Sequence, residues 1–253
     1  MKMLVKGAAI GAALVILAVA WAAWPADGVP ILAYHKVSDA KEAYSVSPPD
    51  FERQMRYLAE SGYTAVSLCE LVSHMTAGKP LPDKSIVITF DDGYANNYYY
   101  ALPIMAQYGM KATVFVISDF IDERPYMKWD EVKAMRKAGT EIGSHTLAHR
   151  DLTGLSPAEQ ARDVAVSKKG LEWRLETPVG FLAYPFGRFD ANTVAALKRG
   201  GYRGAVSTVL GLNKPGDDVY ALKRIAISRS HFPGLLEFRL RLLRANVYSK
   251  LGI

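Results

Sequence analysis

Four times along the chain a helical pattern ends in glycine and a strand-forming run follows within a few residues: LAESGYTAVSL at Gly62, MAQYGMKATVFVIS at Gly109, MRKAGTEIGSH at Gly139 and LKRGGYRGAVST at Gly201. A glycine just past a helix end takes the left-handed conformation that closes the last turn, and the β-branched and aromatic residues after it favour extended chain. Helix starts are equally legible. Ser47-Pro48-Pro49-Asp50 and Ser156-Pro157-Ala158-Glu159 set a capping hydroxyl before a proline, and Ser67 to Glu70 reads as a capping box. Such a repeat restricts the chain to alternating βα units. SIVITF (85–90), ATVFVI (112–117) and GFLAYPF (180–186) are apolar on both faces, as parallel strands covered by helices must be. With PILAY, TAVSL, TEIGSH, GAVST and LKRIAI they predict an α/β fold, a distorted (β/α) barrel of seven or eight strands. At 253 residues, half of them apolar, the chain is long enough for one such domain after an N-terminal hydrophobic segment.

That segment runs from Gly7 to Trp24 without a charge, behind Lys2 and Lys6. Its length lies between the apolar core of a cleaved signal and a spanning helix, so residues 1–27 read as a signal peptide or an N-terminal membrane anchor, and residues 28–253 as the exported body. The expected location is periplasmic or extracytoplasmic, with contact to the membrane if the segment is retained. The formal charge is +6, but Lys and Arg are scattered along helices, and nucleic acid is not an expected partner. A single cysteine, Cys69, excludes an intrachain disulfide and a cysteine-rich metal site; its apolar helical setting reads as a buried small side chain.

In a barrel, chemistry collects at the C-terminal ends of strands. TFDDG (89–93) puts Asp91 and Asp92 at one such end, PILAYH puts His35 at another, TEIGSH puts His145 at a third and YPFG (184–187) closes a fourth. Asp-Asp-Gly is good turn chemistry, and adjacent carboxylates are also a site, because like charges raise a pKa unless a cation or a division of roles relieves them. SHTLAH (144–149) spaces two imidazoles four residues apart, so that one helical turn is expected to bring both to one face; with one carboxylate they form a two-histidine, one-carboxylate set.

TFDDG, SHTLAH, YPFG and the connecting WDEVKAMRKAGTEIGSH, over roughly Val29 to Ile227, resemble the polysaccharide deacetylase family. The resemblance implies that Asp91 is the general base and that Asp92, His145 and His149 hold one divalent metal, zinc by the usual inference, with Co2+, Ni2+ or Fe2+ also compatible. It further implies that the backbone N–H of Phe186 donates to the oxyanion, with Tyr184 and Pro185 of the same turn against substrate. Many family members carry an arginine two residues before the proline of the third motif, where this chain has Ala183; Arg224, in LKRIAI, is the candidate to steady Asp91 instead. The usual late Leu-x-His is missing as well. A subgroup that includes poly-β-1,6-N-acetylglucosamine deacetylases opens its domain on a strand ending Tyr-His, as VPILAYHKV does here, so His35 is expected to protonate the leaving amine, with His231 in reserve.

Trp129 and Tyr94 are the aromatics chosen to stack on sugar faces. The expected activity is metal-dependent hydrolysis of N-acetyl groups on N-acetylglucosamine residues of an envelope or extracellular polysaccharide, releasing acetate. Hydrolysis of another non-peptide C–N bond, in a cyclic amide or a lipid-linked formamido sugar, and a decayed glycan-binding domain stand as alternatives.

Overall fold

A computed structural model describes residues 21–22, 26–230, 232 and 234–252. Among them no helix is long and apolar enough to cross a membrane. The apolar N-terminal segment, apart from residues 21 and 22, and the reserve acid His231 lie outside the described residues.

The elements alternate as the glycine junctions require. β1 (Ile31–Tyr34) leads through two short strands, β2 (Lys36–Val37) and β3 (Ser45–Val46), to helix α1 (Pro48–Glu60). Then follow β4 (Thr64–Ala65), α2 (Leu68–Ala77), β5 (Ser85–Phe90), α3 (Leu102–Gln107), β6 (Thr113–Val116), α4 (Trp129–Lys137) and β7 (Glu141–Ser144). The chain continues through α5 (Pro157–Leu175), β8 (Phe181–Ala183), α6 (Ala191–Arg199), β9 (Gly204–Val206), β10 (Ile225–Ala226) and α7 (Leu236–Leu251). The caps form as read: Ser47 accepts from the Asp50 N–H, and Ser67 with Glu70 and Ser156 with Glu159 close capping boxes. β2 and β3 were not expected, since a two-residue strand carries no periodicity.

All pairings in the main sheet are parallel, in the order β10-β1-β5-β6-β7-β8-β9, with β4 beside the start of β5. The distortion is located here: β1 pairs directly with β5, and β4 covers only Ser85 and Ile86 of it. Residues 219–227 bind both edges of the sheet. The Leu222 N–H donates to Ala205 O at 3.0 Å on β9, and the Ile227 N–H donates to Ala33 O at 2.9 Å on β1. The segment that bridges these edges carries Arg224.

Strand alternation divides the core in two. Leu32, Ile88, Val114 and Leu182 face outward into the cluster shared with the helices, while Ile31, Val87, Phe115, Phe181 and Val206 face inward. The inner cluster is completed by Leu68, Leu71, Val72 and Met75 of α2, each side chain contributing about 1.5–3 kcal/mol by burial. α2 is tied across the N-terminal ends of the strands by Glu141, whose carboxylate accepts from the Leu68 N–H at 3.0 Å and from Thr113 Oγ1 at 2.8 Å. Burial raises the pKa of Glu141 despite those bonds. With the N-terminal mouth plugged, the C-terminal ends of the strands are left for chemistry. Cys69, in the first turn of α2, is half-buried and not fully buried as expected, with Arg203 Nη1 2.8 Å from its sulfur.

Candidate metal-dependent active site

The two aspartates at the end of β5 diverge. Asp91 continues the extended strand, its N–H bonded to Tyr34 O at 2.9 Å, and its side chain points into the barrel. Asp92 adopts φ 71° and Gly93 φ 75°. Asp is among the few side chains that tolerate this left-handed region, and the reversal turns its carboxylate away from that of Asp91. At Gly93 the backbone passes so close to β6 that a Cβ would lie 2.9 Å from Val116 Cγ1.

Asp91 and Arg224 form a buried bidentate pair: Nη1 donates to Oδ1 and Nη2 to Oδ2, both at 2.7 Å, with the two residues 3% and 2% exposed. Arg224 is itself fixed by Nε–H to Ser207 O at 2.8 Å and Nη1–H to Thr89 Oγ1 at 3.2 Å. Burial alone would push the Asp91 carboxyl up; the guanidinium outweighs it and holds the group far below the usual carboxylate range. The fork matches both carboxylate oxygens, which a lysine cannot do. Thr89 and the Ser207 carbonyl, which complete this arrangement, were not expected from the sequence; Thr89 is a polar residue on the inward face of a mostly apolar strand, two residues before Asp91, and that was the available signal.

Asp92 faces the histidines. Its Oδ1 is 3.4 Å from His145 Nε2 and 3.5 Å from His149 Nε2, and the three residues offer ligand atoms all within 4.8 Å of one another. His145 leaves β7 fully buried, its Nδ1 2.8 Å from Ala183 O, which commits that nitrogen and turns Nε2 toward Asp92. Burial depresses its pKa, but the hydrogen bond to Asp92 and the charges of both aspartates lift it above its ordinary value. His149 is brought round by a tight loop with left-handed residues at Thr146 (φ 68°) and at His149 itself (φ 56°), and its N–H donates to Thr146 Oγ1 at 3.0 Å. Two imidazole nitrogens and one carboxylate oxygen on converging atoms, with the ring orientation fixed by a backbone carbonyl, fit a zinc-like divalent ion.

His35 follows β1, with its carbonyl accepting from Asn97 Nδ2 at 2.8 Å and its ring 4.8 Å from that of Tyr44. Burial lowers its pKa against the opposing charges of Asp91 and Asp92, so a proton held there is readily given up. Phe186 lies in a tight turn over Pro185–Gly187 at φ 59°, the residue 60% exposed and its ring 4.9 Å from that of His149. The turn depends on Gly187 (φ 70°), where a Cβ would sit 2.0 Å from Thr208 Oγ1. Gly187→Ala combines that overlap with a left-handed penalty of about 1–2 kcal/mol. It is expected to lower the Tm by at least about 4 °C in differential scanning calorimetry; an unchanged Tm would mean the turn relaxes freely.

Tyr94 is on one wall of the site. Its ring stacks on Tyr126 at 5.1 Å, Lys36 Nζ lies 4.4 Å from its centroid, and Phe120 packs on Tyr126 at 5.0 Å. Burial, then the Asp92 charge, raise the pKa of the phenol. Tyr44, Lys36 and Phe120 were not anticipated here, since they come from loops whose return to this face no periodicity announces.

Two expected substrate contacts are buried, and a third packs partly on the core. The Tyr184 side chain is buried, stacked on Phe189 at 4.6 Å with its hydroxyl donating to Tyr220 O at 2.9 Å, so it belongs to the core. Pro185 is buried beneath the turn. Trp129 opens α4, packed against the core with the Arg174 guanidinium 5.3 Å from its ring centroid. The residue remains partly exposed.

The family model described as polysaccharide deacetylase matches residues 78–205, the stretch that carries both aspartates and both histidines. YxkH of Bacillus subtilis, described as a polysaccharide deacetylase, is 35% identical over 200 residues, covering 79% of this chain and 71% of its own. A poly-β-1,6-N-acetyl-D-glucosamine N-deacetylase of Staphylococcus aureus is 29% identical over 216 residues, 79% of this chain and 74% of that one. Among solved structures, the Streptococcus pyogenes deacetylase PplD, in complex with acetate, superposes with a TM-score of 0.79 at 27% identity, over 88% of this chain and 99% of that chain.

Proposed function

Since this chain belongs to the polysaccharide deacetylase family and is an N-deacetylase, we propose that it removes acetyl groups from N-acetylglucosamine residues of an envelope or extracellular polysaccharide, with one divalent metal. The observation that carries this reading is the division of two adjacent carboxylates, Asp91 paired to Arg224 and Asp92 aimed at two histidines. The name of the Staphylococcus aureus relative supports a β-1,6-linked polymer. The charge-free run from Gly7 to Trp24 behind two lysines supports export.

Asp92, His145 and His149 would hold the metal, zinc in the first instance, which supplies Lewis-acid polarisation of the acetamide carbonyl and activation of water. The chain's own groups do the rest. Asp91, kept ionised by Arg224, takes the proton of the attacking water. The Phe186 N–H, presented by the left-handed turn, donates to the oxygen on which negative charge develops. His35 delivers a proton to the sugar nitrogen as the C–N bond breaks, so that acetate and a free amine leave. Tyr94 with Tyr126 on one side and the exposed Phe186 ring on the other offer apolar faces for pyranose rings.

Acetate release from β-1,6-linked N-acetylglucosamine oligomers is expected to fall at least about 100-fold after chelation and to return on adding Zn2+ or Co2+. Release that survives complete metal removal would overturn the metal assignment. Turnover of a small cyclic imide in preference to the oligomers would overturn the substrate.

A further inference from the structure

The loop that carries His149 contains two non-glycine residues in the left-handed region, Thr146 and His149, within four positions. Each is a strained conformation for a residue with a side chain, and it persists only where its surroundings over-determine it. The restraints come from outside the loop. On α5, Asp163 and Ser167 are one helical turn apart on one face, both essentially fully buried. Asp163 Oδ1 accepts the Leu147 N–H at 2.9 Å, and Oδ2 accepts from Arg150 Nη2 at 3.3 Å. These two contacts bracket His149 in the chain. Ser167 Oγ donates to Thr146 O at 3.1 Å and lies 2.8 Å from Ser144 Oγ, which in turn accepts the Thr146 N–H at 3.1 Å. From the other side, the Ser118 N–H donates to Thr146 O at 3.2 Å and the Asp119 N–H to Leu147 O at 3.0 Å.

Asp163 is the informative member. It lies far from Asp91 and Asp92 in sequence, in no motif picked out above, and its side chain is wholly buried while the Arg150 side chain remains half exposed. Burying a carboxylate for one backbone N–H and one long ion pair brings little net stability by itself. It does hold one backbone conformation against a more relaxed alternative in which His149 swings away from Asp92.

We infer that Asp163 and Ser167 are positioning residues that hold the 146–149 loop in its strained form, so that His149 is already in place to complete the metal site before metal arrives. This rests on the reading of Asp92, His145 and His149 as metal ligands.

The test measures Zn2+ affinity of the full chain by competition with a chromophoric chelator, together with the visible spectrum of the Co2+-substituted protein and the Tm of the metal-free protein. Asp163→Asn keeps an acceptor for the Leu147 N–H but loses the charge that Arg150 meets; Asp163→Ala loses both. The expected order of Zn2+ Kd is parent, then Asp163→Asn, then Asp163→Ala, the last weakened by about tenfold or more, the range found for residues supporting metal ligands. The Co2+ absorption should weaken with them. Ser167→Ala is the second route if Asp163→Ala does not fold, and should weaken binding in the same direction.

Thr193→Val removes the buried bond from Thr193 Oγ1 to Gln160 Oε1 at 2.9 Å, between α6 and α5 and away from the loop, and should lower Tm while leaving the Kd unchanged. Folded Asp163→Asn, Asp163→Ala or Ser167→Ala protein that binds Zn2+ within twofold of the parent with an unaltered Co2+ spectrum overturns the inference. A weakening by Thr193→Val equal to that of Asp163→Ala overturns it too, because the effect would then be general loosening of α5. A parent chain that binds no Zn2+ overturns the metal reading itself, which separates the two failures.

Discussion

Asp91→Asn is expected to lower kcat for acetate release by about 10³-fold while leaving Zn2+ affinity within about twofold of the parent. The asymmetry follows from the way the two aspartates diverge. Asp92 points to His145 and His149, whereas both Asp91 oxygens are engaged by Arg224. The amide introduced by Asp91→Asn keeps the size of the side chain but cannot take a proton near neutral pH. Its NH2 would also face a guanidinium that has only donors to offer. Removing one charge of a buried pair typically costs about 3–5 kcal/mol, so the variant should unfold earlier as well. The kinetics are therefore to be measured well below its Tm, with metal content determined on the same sample. A kcat within tenfold of the parent, with metal bound, would remove Asp91 from the role of base.

Much of this was legible in the chain, and what was missed has a physical pattern. The eight main strands could be read because parallel strands covered by helices must be apolar on both faces, and the helices because their caps are local. Asp91, Asp92, His145 and His149 could be read because each follows closely on a strand, and strand ends converge. Arg224 was reached through what is missing at Ala183, and its guanidinium does meet Asp91. The failures concern where side chains go after the backbone is placed. Tyr184 lies beside the turn that presents Phe186, yet its ring is stacked on Phe189 in the core, and strand alternation alone does not tell which member of a strand-end pair is exposed. The Arg174 guanidinium lies over the Trp129 ring, a contact spanning two helices that no local pattern specifies. Glu141, a charged residue in a strand, would read as solvent-facing; it caps α2 inside the barrel mouth, because the helix that plugs the barrel arrives with unpaired N–H groups.

Arg224→Ala should be nearly as damaging as loss of Asp91, by a different route. It removes from the buried Asp91 carboxylate the guanidinium that most strongly opposes burial, so the group shifts toward its protonated form, which cannot serve as base. The expected result is a roughly 10²- to 10³-fold drop in kcat, about 3–5 kcal/mol of lost stability, and retained metal binding. Arg224→Lys should recover part of the activity, since it keeps a positive charge but not the fork that meets both oxygens or the bond to the Ser207 carbonyl. A purely structural role would not produce that ordering in kcat once stability is matched. The inner core offers a stricter test. Ala183 belongs to the inward-facing cluster at the end of β8, and the test is whether an arginine there can serve Asp91 once Arg224→Ala has removed the resident guanidinium. Ala183→Arg alone should destabilise the protein, because two guanidiniums would compete for one carboxylate. Combined with Arg224→Ala it should cost less than the sum of the single changes, and kcat should rise above that of Arg224→Ala alone. Simple additivity of the two substitutions, in both Tm and kcat, would mean that the barrel interior does not accept a guanidinium for Asp91 from β8, and that the place of Arg224 next to β10 is essential.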